Sequence, residues 1–326
     1  MRKCPLFPLI GLISILAPLA SFGWGGRLHM DINRAAALDV PDEMAAWRAY
    51  DRLLSRYSIQ PDLWKADDTA EGPRHYIDVE RFRDTAFTSL PVDRAQVVTR
   101  PDGHPTIGDG IAPWVILEAE QRLTRAMASN QWTLAMRWAG TLGHYVGDLH
   151  QPLHATEKFD DGNPLGTGIH VRWEDALPKA YWQASMLAPA PAVYLTNVWP
   201  AVLGWIAHSH EVYPEIYAAD RKAREASDDD VESAAYYRAL WYGTRDLFVR
   251  QASLAVTDLA SLWYTAWVNA GKPAIPAPPE ALPTTSVWTV VTASPAPSAK
   301  PFFIGFGIVA LVIVVLSMRK KGNSIQ

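Results

Sequence analysis

Apolar residues recur at intervals of three and four over three long stretches of the chain, which is the spacing of one face of an α-helix. The first stretch runs from Ile111 to Ser129 and the second from Gln131 to Leu149. The third, Tyr236 to Asn269, is typical of one or two long helices. No alternating strand pattern of comparable length is present, and no internal repeat is visible. The sequence therefore predicts a single, mainly helical, all-α domain.

Both ends of the chain carry unbroken apolar runs instead. Residues 1–23 combine a basic start, an apolar run and small residues before Trp24, which predicts a signal peptide that is cleaved before Trp24. An uncleaved N-terminal membrane anchor is the alternative interpretation. Residues 301–318 are almost purely apolar and precede a basic tail, residues 319–326. This order predicts a C-terminal transmembrane helix with its tail in the cytoplasm and the domain outside.

The stretch between the predicted domain and the predicted transmembrane helix has a third composition. Residues 272–300 are rich in Pro, Ala, Ser and Thr, which predicts an extended linker. Residues 24–271 are therefore the predicted catalytic domain. The one cysteine, Cys4, falls in the signal peptide, so the mature protein would have no disulfide. We expect an exported protein, periplasmic or on the extracytoplasmic cell surface, anchored in the membrane by its C-terminal helix.

Charge places one further limit on function. The formal net charge is −4 at pH 7, which does not suggest a broad basic surface. Any contact with nucleic acid must then come from a local site.

The second predicted helix carries two polar residues on its buried face. His144 and Asp148 are four residues apart, so both side chains project from the same side of the helix. Burying them is unfavourable without partners, and a metal ion can be that partner because imidazole and carboxylate are ordinary zinc ligands. A hydrogen-bonded pair without metal is the alternative. Pro152 then disrupts the helix, which allows His154 to approach from another direction.

Other residues of ligand type surround this segment. His170 and Glu174 repeat the spacing of four, and His29 lies five residues after the predicted new N-terminus at Trp24. The further candidates are Asp62 and His75. Each fragment is weak alone, but together they predict a metal site.

At these residues the sequence resembles the S1/P1 nucleases and the bacterial zinc phospholipases C. Their shared block, H-Y/F-x-G-D-x-x-Q/x-P-x-H, is matched from His144 to His154. The likeness extends by motif from Trp24 to about Glu174, and to about Gly271 by helical character only.

Two positions depart from the family pattern. Glu157 stands where the phospholipase signature usually has Asn, and Glu174 matches the phospholipases where the nucleases commonly use Asp. Neither departure removes a ligand.

The resemblance implies three zinc ions (Zn²⁺) per chain. The first would be held by Asp62, His75, His144 and Asp148, the second by His154, His170 and Glu174, and the third by the α-amino group and carbonyl of Trp24 with His29 and a bridging Asp148. The third ion requires cleavage of the signal peptide, because an uncut chain has no α-amino group at Trp24.

The resemblance also implies a zinc-dependent hydrolase that cleaves phosphodiester bonds with metal-activated water. Asp62 would orient or deprotonate the nucleophile. Arg27 is either a phosphate contact or an exposed arginine near the N-terminus. Family phospholipases that act on phosphatidylcholine have an acidic residue at the position of Arg27, where a cation would repel choline.

These features favour an endonuclease and 3′-nucleotidase that acts on single-stranded DNA and RNA. A zinc-dependent phospholipase C is the alternative enzyme, and a zinc-binding surface module is the alternative without catalysis. The expected partners are a single-stranded nucleic acid or 3′-nucleotide as substrate and a membrane at the C-terminal helix. No protein partner is inferred.

Overall fold

The computed structural model describes residues 24–82, 87–98, 102–103, 105–160 and 167–288. The predicted signal peptide, the predicted transmembrane helix and its tail lie outside these residues. Across the described ranges, no helix combines the length and the apolar character needed to cross a membrane.

Helices dominate the described chain. The α-helices are α1 (Gly26–Asp39), α2 (Asp51–Tyr57), α3 (Gln60–Trp64), α4 (Ala112–Ala128), α5 (Trp132–Leu149), α6 (Ile169–Val171), α7 (Leu177–Tyr181), α8 (Val198–Glu225) and α9 (Ala234–Asn269). Short 3₁₀ helices lie between them at Asp42–Tyr50, Gly72–His75, Val79–Phe82, Phe87–Ser89, Arg94–Gln96, Ile107–Asp109, Pro152–Ala155 and Ala184–Met186, and a π-helical turn at Arg172–Ala176. Within the described residues there is no strand, only an isolated bridge between Ile77 and Gly110. The predicted all-α fold is confirmed there.

The three helices predicted from apolar spacing are α4, α5 and α9, and α9 is one continuous helix. Helix α8 is not evident from the sequence pattern. It contains Pro214 in its interior, and the polar residues Ser209, Asp220 and Arg224 interrupt its buried face.

Helix α5 is the centre of the domain. Every residue from Ala135 to Leu149 is buried, and α1, α2, α4 and α9 pack around the helix. A helix buried on all sides has no solvated face for polar residues. His144 and Asp148 therefore lie in the interior, as predicted, and need partners there.

Two glycines of α5 allow the close approach of α1. A Cβ atom at Gly143 would lie 1.9 Å from Asn33 Oδ1, and one at Gly147 would lie 2.8 Å from His29 Nδ1. Contacts this short do not occur, so larger side chains at either position would displace α1. The glycines thus bring His29 beside the polar face of α5.

The chain divides into two compact units, residues 1–286 and 287–326, and the second unit is described only at residues 287 and 288. The first unit extends past residue 271, the expected end of the domain. Residues 272–286, which we call the C-terminal strap, offer backbone carbonyls to buried donors. These hydrogen bonds run from Trp267 Nε1 to Pro273 O (2.9 Å), Tyr50 OH to Pro276 O (2.9 Å), Trp64 Nε1 to Thr284 O (2.7 Å) and Arg137 Nη2 to Thr285 O. Because proline lacks a backbone N–H but retains its carbonyl, a proline-rich segment can still bind in this way.

Candidate metal centre

The fold brings the predicted ligand side chains into one buried region. Three groups have ligand atoms close enough to hold a metal ion: His29 with Asp62 and His144; His75 with His144 and Asp148; and His154 with His170 and Glu174. The first two groups share His144, so together they form one cluster, which we call the interior group. The third is the cleft group.

Asp148 is the hub of the interior group. Its Oδ2 atom lies 2.8 Å from His75 Nδ1 and 3.2 Å from His144 Nε2. Its Oδ1 atom lies 3.3 Å from His29 Nε2 and 3.6 Å from His154 Nδ1. One carboxylate thus faces histidines from four different segments of the chain.

Asp62 completes the interior group from the side of α3. Its Oδ1 atom lies 3.6 Å from His144 Nε2 and 3.8 Å from His75 Nδ1. Lys65, one turn further along, donates to the same oxygen at 2.8 Å. The short helix α3 therefore presents Asp62 to the cluster and Lys65 to its edge.

Hydrogen bonds to backbone carbonyls determine which ring nitrogen of His144 and of His154 can bind a metal ion. His144 Nδ1 lies 2.7 Å from Ser58 O, and His154 Nδ1 lies 2.9 Å from His75 O. A carbonyl oxygen can only accept, so each Nδ1 carries a proton and each neutral ring has its lone pair on Nε2. These two Nε2 atoms point into the interior group and the cleft group respectively.

The buried polar atoms fit a metal ion. Within the described residues, both ring nitrogens of His29 and Oδ1 of Asp148 have no hydrogen-bond partner. His144 Nε2 lies 3.0 Å from His75 Nδ1 in the same cluster. Converging nitrogen and oxygen lone pairs without donors are costly in a protein interior, and a bound cation removes that cost. The donor set of imidazole and carboxylate suits zinc.

The electrostatics of the interior group favour an ionised Asp148 and a neutral His29. At His144, by contrast, burial would lower the pKa, but Asp148 and Asp62 outweigh it and raise that pKa. Burial alone would raise the pKa of Asp148, but His144 and His154 outweigh it and hold that pKa well below its usual range. Burial, with His144 next to it, lowers the pKa of His29. An ionised Asp148 and an unprotonated His29 are the forms that bind metal.

The cleft group rests on less regular backbone. His170 belongs to the short helix α6, and Glu174 to the π-helical turn that follows. His170 Nε2 lies 2.8 Å from Glu174 Oε2 and 3.0 Å from His154 Nε2. Gln151 Nε2 donates to Glu174 Oε2 at 2.9 Å and orients that carboxylate. Burial would raise the pKa of Glu174, but His170 and His154 lower it to about 2.

Trp24 is anchored between the two groups. Its side chain is fully buried, and Nε1 donates to Gly147 O at 2.7 Å. The next backbone N–H, at Gly25, donates to Glu174 O at 3.0 Å. The main chain at Trp24 therefore lies beside α5 and the π-helical turn. The use of its α-amino group as a ligand stays a prediction, because residues 1–23 lie outside the described part of the chain.

Arg27 is on the exposed side of α1. Its side chain is 64% exposed and lies 3.9 Å from Asp31. It is not among the described residues that line the cleft beside the ligands. Its suggested contact with phosphate therefore gains no structural support.

The sequence pattern missed Glu71, which supports His75 from behind. This carboxylate is fully buried, 3.3 Å from His75 Nε2, and accepts a hydrogen bond from Tyr145 OH. Arg74 pairs with its other oxygen. Burial would raise the pKa of Glu71, and His75 is the main group that lowers it. A carboxylate behind a ligating histidine fixes the ring and makes it a better ligand. Nothing in the local sequence distinguishes Glu71 from an exposed glutamate.

A cleft of about 440 Å³ gives access to the ligands. His75, His154 and His170 form part of its lining, with Lys65, Tyr76 and Phe159 at its walls. The Phe159 side chain is 48% exposed, and its ring centre lies 5.6 Å from that of His170. Potential metal ligands thus meet solvent at a cleft with aromatic walls.

Asp78, also in the cleft wall, has an unusual environment. Burial, followed by the charges of Asp109 and Glu80, raises its pKa to about 7. A carboxyl group in this state can donate or accept a hydrogen bond near neutral pH.

A helical domain with grouped histidine and carboxylate side chains at an open cleft is an arrangement suited to a metal-dependent hydrolase. A family model described as S1/P1 Nuclease matches residues 33–244, more than half of the chain. The chain belongs to the S1/P1 nuclease family, which confirms the predicted resemblance and supports a phosphodiesterase activity. Members of this family are metal-dependent. Trp24 and His29 lie before the matched residues. No curated protein matches the chain significantly.

Proposed function

We propose that the protein is a zinc-dependent endonuclease and 3′-nucleotidase that acts on single-stranded DNA and RNA. The observation that carries this proposal is the convergence of histidine and carboxylate side chains in two neighbouring groups, of which His75, His154 and His170 line one cleft. Zinc would be held by the interior group and the cleft group, with Trp24 as the predicted additional ligand. When bound, zinc supplies Lewis acidity, which lowers the pKa of water and neutralises charge on a phosphoryl group.

The chain's own residues would position the reactants. Burial would raise the pKa of Asp62, but His144 and Lys65 lower it, so the carboxylate stays ionised. An ionised Asp62 at the edge of the cluster can accept a hydrogen bond from the attacking water and orient it. Lys65 lines the cleft and holds the same carboxylate in place.

The walls of the cleft suit a nucleobase. Tyr76 and Phe159 provide aromatic surface beside the ligands, and stacking on such rings is a sequence-tolerant way to bind single strands. Tyr76 is fixed in place because its hydroxyl donates to Gly108 O at 2.8 Å. A duplex would have to open before a base could enter such a cleft, which favours single-stranded substrates.

A zinc-dependent phospholipase C is the second candidate, and one observation favours it. Exposed apolar side chains flank the ligands: Leu63 is 50% exposed beside Asp62, and Val171 is 47% exposed beside His170. Such residues could contact a lipid surface.

The test uses the full chain, produced in a host that processes its signal peptide. Acid-soluble nucleotides released from single-stranded DNA and phosphocholine released from phosphatidylcholine vesicles are measured together. We expect DNA cleavage that a chelator abolishes and added zinc restores. Lipid cleavage alone would replace the nuclease with a phospholipase C. Full zinc content with neither activity would favour the zinc-binding surface module.

We further propose that the protein is exported and anchored in the membrane by residues 301–318. The apolar runs at both ends of the sequence support this proposal. Sequencing the N-terminus of the mature protein tests it, and we expect Trp24 as the first residue. Extraction from membranes by detergent but not by high salt is the expected behaviour of the C-terminal anchor. A protein that retains Met1 would contradict the cleavage of a signal peptide. Release from membranes by high salt would contradict the C-terminal anchor.

A further inference from the structure

A second cavity lies next to the cleft, across a short loop. Residues 105–111, which we call the dividing loop, contribute Gly108 to the lining of the cleft. The same loop contributes Thr106, Ile107 and Gly110 to a cavity of about 540 Å³. The two spaces therefore share one wall. None of the potential metal ligands lines the second cavity.

The dividing loop is held firmly. Thr106 and Asp109 form a capping box, in which the Thr106 side chain accepts from Gly108 N and the Asp109 side chain accepts from Thr106 N. Gly110 has a φ of 88°, and a Cβ atom there would lie 2.2 Å from Tyr76 O. Only glycine fits this approach, so the loop and the Tyr76 backbone are fixed relative to each other. A ligand that crosses the loop would meet a preformed surface.

The lining of the second cavity combines aromatic surface with a cation. The Trp114 ring lies 6.0 Å from Phe82 and 5.6 Å from Trp199, and its Nε1 donates to Pro91 O at 3.1 Å. The indole is therefore held in place and its polar atom is already paired. Arg94 is exposed at the cavity and forms no ion pair with any described residue.

We propose that this second cavity binds a nucleotide of the substrate strand next to the part that occupies the cleft. The base would pack against the apolar and aromatic lining at Trp114, and the phosphate would meet the Arg94 guanidinium. This inference rests on the proposed nuclease function and extends it to a further subsite. Aromatic surface and an unpaired arginine are the two elements that single-stranded nucleic acids require.

Three features favour this occupant. The volume of about 540 Å³ lies in the range of small-molecule sites. The shared wall places the cavity directly beside the cleft, so one strand can pass over the dividing loop from one to the other. Arg94, which forms no ion pair with any described residue, complements the negative charge of a phosphate.

The experiment compares a dinucleotide, which reaches only the cleft, with a hexanucleotide that can also reach the second cavity. Full-length Arg94→Ala, Ala95→Asp and a control, Arg238→Ala, are assayed with both. Arg94 and Ala95 are exposed, so both changes leave the fold intact, and Arg238 is an exposed arginine on α9. We expect Arg94→Ala to raise KM for the hexanucleotide about fivefold and to leave kinetics on the dinucleotide unchanged. Ala95→Asp places a carboxylate at the cavity and has a larger effect in the same direction.

Salt dependence provides a second readout, which a merely structural role would not change. The slope of log KM against log salt concentration for the hexanucleotide falls in magnitude by about 0.7 in Arg94→Ala, the value for one lost phosphate contact. Equal changes in Arg238→Ala, or equal kinetics of Arg94→Ala and wild type on both substrates, would overturn the subsite alone. A wild-type protein that cleaved neither oligonucleotide would overturn the proposed function and this subsite together.

Discussion

The interior group and the cleft group use the same kinds of ligand on very different supports. His29 and His144 come from the long helices α1 and α5 and are fully buried. His170 and Glu174 come from a three-residue helix and a π-helical turn, and the His170 side chain is 12% exposed. Metal sites that are closed by protein ligands are typically structural, whereas catalytic sites keep an open position. If both groups hold zinc as we propose, the interior group would provide rigidity and the cleft group would provide access for substrate.

The largest expected effect follows from removing the hub of the interior group. Asp148→Asn replaces a carboxylate that faces four histidines, so it should reduce zinc content at that group and lower kcat/KM by more than about a hundredfold, the upper range for residues that only support ligands. Metal analysis and DNA cleavage measure the two effects. Glu120→Gln is the matched control, because Glu120 is also a buried carboxylate, hydrogen-bonded to Thr124 and outside the ligand groups. Normal zinc content in Asp148→Asn would contradict the account.

Glu174→Gln tests whether the cleft group can lose its metal ion independently of the interior group. We expect the loss of about one zinc ion per chain, from the cleft group only, because the interior ligands keep their own supports. Activity falls strongly while the protein remains folded by circular dichroism. If Glu174→Gln lost as much zinc as Asp148→Asn, the two groups would not be independent.

Glu71→Gln weakens the interior group without removing a ligand. The change keeps the size of the side chain but removes the charge behind His75, so zinc affinity should fall by about tenfold to a hundredfold. Competition with a chelator measures this affinity. Glu118→Gln, on the exposed face of α4, is the control. Equal affinity in the two variants would show that Glu71 does not support the site.

The sequence predicted which polar side chains lie together better than it predicted the residues that support them. His144 with Asp148 and His170 with Glu174 were evident because a helix repeat of about 3.6 residues converts a spacing of four into a shared face. Glu71 escaped prediction because its partners, His75 and Tyr145, meet only after α5 packs against the segment that contains it. Local spacing carries no information on such contacts.

The fold shows the same contrast. Helices α4 and α5 have strong apolar periodicity and were predicted closely. The C-terminal strap has the composition of a linker, and its order comes from Trp64, Arg137 and other donors far away in the chain. Composition alone cannot reveal which distant groups a backbone carbonyl will meet.

The smallest expected effect concerns this strap. Trp64→Phe removes the hydrogen bond to Thr284 O and part of a buried ring, so the free energy of unfolding should fall by about 1 kcal/mol or more. Because Trp64 follows Asp62 in α3, zinc affinity should also fall slightly. Urea unfolding and chelator competition measure both quantities. Trp267→Phe removes the equivalent bond to Pro273 O, away from α3, and should change stability but not zinc affinity. Identical zinc affinities in the two variants would show that the C-terminal strap does not influence the metal centre.

The most direct test of the account is the metal content of the processed, full-length protein with Trp24 at its N-terminus. We predict about three zinc ions per chain, with single-stranded DNA cleavage that is lost when chelators remove them. A folded, correctly processed protein that contains little or no zinc and cleaves DNA equally well with chelator present would contradict it.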